Sequence, residues 1–142
     1  MKLWLQLVLK YLFLFCIGGF VYVMIEISGR GYSHISMFIL GGICFIFLGL
    51  LNEIFSWDTP LLLQMLAGAI TITVLEFITG CYVNLYKGLN VWDYSDLPLN
   101  YLGQICVLYS VFWFLLSAVG IMLDDFIRYK FFHEQKPQYK LL

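Results

Sequence analysis

Four apolar stretches, each long enough to cross a bilayer as a helix, constrain this chain more than any other feature of its sequence. They run from about Leu3 to Ile25, Ile35 to Phe55, Leu61 to Val83 and Tyr101 to Leu123. The hydrocarbon core of a bilayer is about 30 Å thick, and a helix needs about 20 apolar residues to span it. The sequence therefore predicts an all-α polytopic membrane protein, in which residues 1–142 form a single four-helix transmembrane domain with a short tail, 124–142.

The composition agrees with this fold class. Hydrophobic residues make up 62% of the chain and charged residues only 12%, whereas a soluble domain carries about 25% charged residues. The net charge is −1 and the Lys and Arg residues form no patch, so we expect no nucleic-acid partner. The four cysteines fall one to each apolar stretch, with no CxxC pair and no His at ligand spacing. We interpret them as small hydrophobic residues and expect no metal and no other cofactor.

The distribution of positive charge predicts the orientation of the spans. Cytoplasmic segments carry an excess of Lys and Arg, and an even number of spans puts both termini on one side. The terminal side collects Lys2, Lys10, Arg128, Lys130, Lys136 and Lys140, whereas the opposite side has Arg30 and Lys87. We therefore expect a multi-pass membrane protein, surrounded by membrane lipid, with both termini in the cytoplasm.

The link between the third and fourth stretches, residues 84–100, is predicted to be an ordered cap. It contains three turn formers and an interfacial tryptophan: Gly88, Asn90, Pro98 and Trp92. A flexible tether would instead be rich in Gly and Ser. Asn100 is a suitable residue to cap the start of the fourth helix.

Glu76 is an ionisable residue inside a predicted span, and such a residue is costly enough to need a reason. At helical spacing its face is shared with small and polar residues: Ala69, Thr73, Gly80 and Asn84. Such a stripe is typical of a helix surface that faces other helices. Two interpretations stay open: a structural contact between helices, or a site for a proton, an ion or a substrate.

Several polar groups gather at the outer leaflet in this orientation, with Glu76 just beneath them. The candidate ligand-binding residues are Glu76, Asn84, Glu26, Arg30, His34, Trp92, Asp93, Asn100 and Gln104. Polar groups that converge over an apolar bundle can form a pocket, although Glu26 and Arg30 are also spaced for an ordinary surface ion pair. On the opposite side we interpret Glu53, Asp58, Asp124 and Asp125 as solvated acids, with only a weak indication of a divalent cation.

Common nucleotide-binding and catalytic motifs are missing from the sequence. It contains no GxxxxGK[ST] phosphate loop, no GxSxG elbow and no HExxH helix. An ATP-hydrolysing partner would therefore have to be a separate chain, and we do not expect a conventional enzyme. A carboxylate and histidine site acting on a lipid-linked substrate, built from Glu76, Glu26 or His34, stays open as an alternative.

Four stretches are distinctive: RGYSHISMFILGGICF (30–45), LEFITGCYVN (75–84), VWDYSDLPLNYLGQIC (91–106) and the tail segment LDDFIRY. Together they resemble a family of small bacterial and phage membrane proteins described as "putative ABC-transporter type IV" permeases, over about 18–142. The resemblance implies four membrane helices, a permease role and a location in the bacterial inner (cytoplasmic) membrane. Residues that match the family pattern are Glu76, Gly80, Asn84, Trp92, Asp93, Tyr94, Ser95, Pro98, Asn100, Gly103 and Gln104.

The leading hypothesis is a small multi-pass permease or transporter component that binds a polar or ionic ligand near its outer face. A four-helix chain is small for a complete transporter, so we expect a homo-oligomer or a partner membrane subunit, with a separate ATPase chain as a further partner. The alternatives are a structural or regulatory membrane protein without transport, and an intramembrane enzyme that acts on a lipid-linked substrate.

The orientation can be tested at the long link. In a chain without its native thiols, Gly88→Cys is expected to react with a membrane-impermeant maleimide on intact cells, because residue 88 is predicted to lie outside. Labelling that occurs only after lysis would reverse the orientation.

Overall fold

Four helices account for the four apolar stretches. In the computed structural model, which describes residues 2–142, they are α1 (Leu3–Arg30), α2 (Ile35–Ile54), α3 (Leu61–Gly80) and α4 (Val107–Phe132). A π-helical segment, Cys81–Tyr86, continues α3, and two short antiparallel strands, β1 (Asn100–Tyr101) and β2 (Ile105–Cys106), precede α4. All four spans are long and apolar enough to cross a membrane. The predicted all-α class is confirmed.

Helix α1 is longer than its apolar stretch. It continues past Ile25 to Arg30 and ends at Gly31, whose left-handed φ of 81° allows its N–H to donate to the carbonyl of Ile27 at 2.8 Å. Its 28 residues extend over about 42 Å, which exceeds the hydrocarbon thickness. The last turn, with Glu26 and Arg30, lies beyond the apolar stretch.

Helix α3 widens at its end into the π-helical segment. The N–H of Lys87 donates to the carbonyl of Tyr82 at 2.9 Å, the spacing of a π turn. Such segments are often found at functional sites. Here the wider turn carries Asn84, whose side chain is directed to the loop that follows.

Helix α4 begins at Val107 rather than near residue 101, because a tight hairpin occupies residues 100–106. Asn100 is not the cap of α4. Its Nδ2 donates to the carbonyl of Leu97 at 2.8 Å, and its Oδ1 accepts from the N–H of Gly103 at 3.0 Å. Gly103 has a φ of 69°, in the left-handed region that favours glycine. The asparagine therefore holds a turn instead of starting a helix.

The helices pack closely where glycines meet bulky side chains. Helix α2 contacts each of the other three helices, and α3 packs against α4. A Cβ on Gly18 of α1 would overlap Phe45, and a Cβ on Gly41 of α2 would overlap Tyr22. Small residues that let two backbones approach are the usual basis of helix association in lipid.

The end of the bundle that carries both termini, the tail end, contains a buried ion-pair network. Helix α4 continues to Phe132, and Arg128 is only 3% exposed. Its Nε donates to Oδ2 of Asp124 at 2.7 Å, and one terminal nitrogen donates to Oε1 of Glu53 at 2.7 Å. Asp124 is fully buried and Asp125 is also buried, so the interpretation of these two acids as solvated was wrong.

The residues after α4 fold back over the tail end. The hydroxyl of Tyr139 donates to Asp125 at 2.5 Å, and Nε1 of Trp57 donates to Gln135 at 3.1 Å. The N–H of Leu61, at the start of α3, donates to the carbonyl of Lys140 at 2.6 Å. The tail thus satisfies a free N–H of a helix that has no side-chain cap.

The packing of α1 on α2 can be tested with two alanine variants. Gly18→Ala is expected to lower the free energy of unfolding by about 1–3 kcal/mol, because the new Cβ overlaps Phe45. Gly29→Ala is the matched control on the same helix, where a Cβ meets nothing within 4 Å. Thermal unfolding in detergent measures both, and equal midpoints for the two variants would contradict the packing.

Candidate functional site

A cavity of about 230 Å³ lies between the last turns of α1, the start of α4 and the loop 87–99. We call it the aromatic cavity, because six aromatic side chains line it: Tyr22, Trp92, Tyr94, Tyr109, Phe112 and Trp113. Glu26 and Arg30 also line it, and they are the only carboxylate and the only basic side chain among its lining residues. The site is therefore apolar with one charge of each sign.

Glu26 and Arg30 form an ion pair on the last turn of α1. Oε2 of Glu26 lies 2.6 Å from a terminal nitrogen of Arg30, and the other terminal nitrogen donates to the carbonyl of Val91 at 2.8 Å. The guanidinium also lies 4.6 Å from the centre of the Tyr32 ring. The Nε–H of Arg30 is buried, and within residues 2–142 it has no hydrogen-bond partner. An unused buried donor is costly, and a ligand oxygen would satisfy it.

The aromatic rings are stacked in pairs. The ring centres of Tyr94 and Tyr109 lie 4.6 Å apart with nearly parallel planes, and those of Tyr22 and Trp113 lie 5.8 Å apart. Such π faces attract a cation within about 6 Å. The cavity thus offers a cation surface beside a guanidinium that can receive an anionic oxygen.

Glu76 is only 1% exposed and lies behind this lining. Its Oε1 accepts from the hydroxyl of Tyr94 at 2.8 Å, and its Oε2 accepts from Nε1 of Trp113 at 3.0 Å. Burial, and then the nearby Glu76 carboxylate, raise the pKa of the Tyr94 hydroxyl, which therefore stays protonated and donates.

Asn84 and Gln104 hold the loop on the end of α3. Nδ2 of Asn84 donates to Oε1 of Gln104 at 2.8 Å, and its Oδ1 accepts from the N–H of Val91 at 2.7 Å. Nε1 of Trp92 donates to the carbonyl of Gln104 at 3.0 Å. A Cβ at Gly80 would lie 2.6 Å from Oε1 of Gln104, so Gln104 can come this close to α3 only because residue 80 is glycine. These contacts position Trp92 in the lining of the cavity.

Three other predicted site residues shape turns. Asp93 accepts from the hydroxyl of Ser95 and from its N–H, at 2.9 Å for the latter, and these hydrogen bonds lower the pKa of Asp93. His34 caps α2, where its Nδ1 accepts from the N–H of Ser36 at 3.1 Å. Asn100 holds the hairpin. Of the nine predicted site residues, Glu26, Arg30 and Trp92 line the cavity.

Sequence reasoning missed most of the aromatic lining. Tyr109, Phe112 and Trp113 are not among the predicted site residues. Their spacing contains a signal, since residues 109, 112 and 113 share one face of a helix. Among residues 2–142, no group of three or more His, Cys, Asp or Glu side chains is arranged to hold a metal ion.

Comparison with known proteins identifies a family but no individual relative. A search of curated proteins and a search of solved structures both returned no match. A family model described as "Putative ABC-transporter type IV" matches residues 10–140. The match covers nearly the whole chain: most of the first span, the other three spans and the loop. The chain therefore belongs to this family of putative type IV ABC transporters.

Proposed function

We propose that this protein is the membrane component of a permease and that the aromatic cavity receives a polar or ionic ligand at the outer face. The observation that carries the proposal is the buried Nε–H of Arg30, which has no partner within residues 2–142. Beside it lie the Glu26 carboxylate and several π faces. A ligand with one anionic and one cationic group would complement both features.

Glu76 has a structural part in this proposal. Both of its oxygens are engaged by Tyr94 and Trp113, which leaves the ligand to Glu26 and Arg30. This observation favours the structural interpretation for Glu76 alone. The enzyme alternative has less support, because Glu76 and His34, two of its three candidate catalytic groups, are engaged in structural hydrogen bonds.

The family description supports partners beyond this chain. An ABC-type transporter needs a nucleotide-hydrolysing component, and the sequence has no phosphate loop, so the ATPase would be a separate chain. We propose a homo-oligomer or a second membrane subunit to complete the pathway. Both termini and the buried Arg128 network would then lie on the cytoplasmic side, where the ATPase acts.

The ligand site can be tested with phosphocholine, which carries a phosphate for Arg30 and a trimethylammonium group for the aromatic rings. It is expected to raise the thermal unfolding midpoint of the purified protein in detergent. The expected stabilisation is about 2.7 kcal/mol when its concentration is about 100 times the Kd. Arg30→Gln should abolish the shift, because the guanidinium supplies the phosphate contact.

Lys87→Gln is the matched control, since Lys87 lies at the same end of the bundle but does not line the cavity. It should keep the full shift. An equal shift in wild type and Arg30→Gln, or no shift in wild type, would contradict the proposed site.

A further inference from the structure

We infer that the ligand of the aromatic cavity is a zwitterionic phospholipid of the surrounding bilayer, with its headgroup in the cavity and an acyl chain between α1 and α4. This inference rests on the proposed function and names its substrate class. It depends on a second, apolar cleft that lies next to the aromatic cavity.

The apolar cleft is formed by one side of α1 and one side of α4, above a floor from α2 and α3. Val21 lines it from α1, Val119 from α4, and Leu48 and Ile72 from the floor. Helix α1 packs principally on α2, and Val21 and Val119 are 41% and 59% exposed. The cleft is therefore open on the side that faces lipid.

The cleft and the aromatic cavity are neighbours. Tyr22, Ile25 and Trp113 line both of them. The next turn of α1 after Ile25 carries the Glu26 and Arg30 ion pair. An apolar groove beside one charge of each sign has the polarity pattern of an amphiphile.

The depth of these features matches the depth of a lipid. Helix α1 is longer than the hydrocarbon is thick, and we place its charged last turn, with Glu26 and Arg30, at the level of the headgroups. The groove from Gly18 to Ile25 lies within the hydrocarbon. A lipid could therefore enter the site from the side without leaving the bilayer.

The charges select the headgroup. The buried Nε–H of Arg30 can donate to a phosphate oxygen, and an ammonium group can lie against the aromatic rings and Glu26. Glu26 already neutralises Arg30 at 2.6 Å. The empty site is therefore net neutral. An anionic headgroup would add an uncompensated negative charge beside Glu26, whereas a zwitterionic headgroup keeps the site neutral and therefore fits better.

The inference can be tested by quenching of tryptophan fluorescence with brominated lipid in nanodiscs. Trp113 lines the cleft, so a bromine-labelled acyl chain in the cleft would quench it. With brominated phosphatidylcholine diluted into phosphatidylglycerol, we expect saturation at a mole fraction at least about tenfold below that of the converse mixture. Arg30→Gln should remove this preference.

Val21→Phe and Val119→Phe fill the cleft, whereas Val8→Phe and Val111→Phe add the same bulk to exposed positions on the same helices outside it. Since each buried methylene contributes about fourfold to affinity, the two filling variants should weaken the preference about tenfold or more. They should keep the stabilisation by phosphocholine, and the two control variants should behave as wild type.

The outcomes separate this inference from the proposed function. If filling the cleft leaves the lipid preference unchanged while phosphocholine still stabilises the protein through Arg30, the lipid inference is wrong and the proposed function stands. Quenching that follows mole fraction equally for both lipids would also overturn the inference. A change of oligomeric state without a change in quenching would assign the cleft to a second copy of the chain. If neither phosphocholine nor the lipid binds, both the proposed function and the lipid inference are wrong.

Discussion

The structure depends on one buried carboxylate, that of Glu76. An ionised carboxylate at the centre of a membrane helix costs about 2.5–3.5 kcal/mol on insertion scales, so it needs partners inside the protein. It receives the hydroxyl of Tyr94 from the loop and Nε1 of Trp113 from α4. One residue of α3 therefore connects the loop to α4, and the two donors that it orients also line the aromatic cavity.

At the tail end of the bundle, the buried charge of Arg128 likewise has partners inside the protein. Its guanidinium is buried between acids from α2 and α4, Glu53 and Asp124. Burial of one such charge without its partner is strongly destabilising, so these contacts specify how the helices pair. Both ends are thus held by polar contacts between elements, while the middle of the bundle relies on glycine packing and leaves a cleft between α1 and α4. This arrangement is consistent with a site that opens sideways to lipid.

The sequence was sufficient for features that depend on local pattern. Apolar length predicted the four spans, turn residues predicted a folded loop, and helical spacing placed Glu76 on a face turned toward other helices. It was insufficient where distant segments meet. The hydrogen-bond partners of Glu76 lie 18 and 37 residues away along the chain. The spacing of residues within one helix does not indicate which distant donors will contact it. The burial of Arg128 was missed for the same reason, because it depends on a contact with α2. The start of α4 at Val107 was missed because a hairpin whose residues include several with left-handed φ angles precedes it.

Together with Asn84 and Gln104, Glu76 holds the loop on the bundle and so positions the aromatic side chains that line the cavity. Amide hydrogen exchange of residues 88–104, measured by mass spectrometry on the detergent-solubilised protein, tests it most directly. In wild type these amides should exchange slowly. Glu76→Leu should accelerate their exchange strongly, because the loop loses the hydrogen bond from Tyr94. Helices α1 and α2 should keep their protection, because the hydrogen bonds to Glu76 come from the loop and α4. Unchanged protection of residues 88–104 in Glu76→Leu would contradict the account.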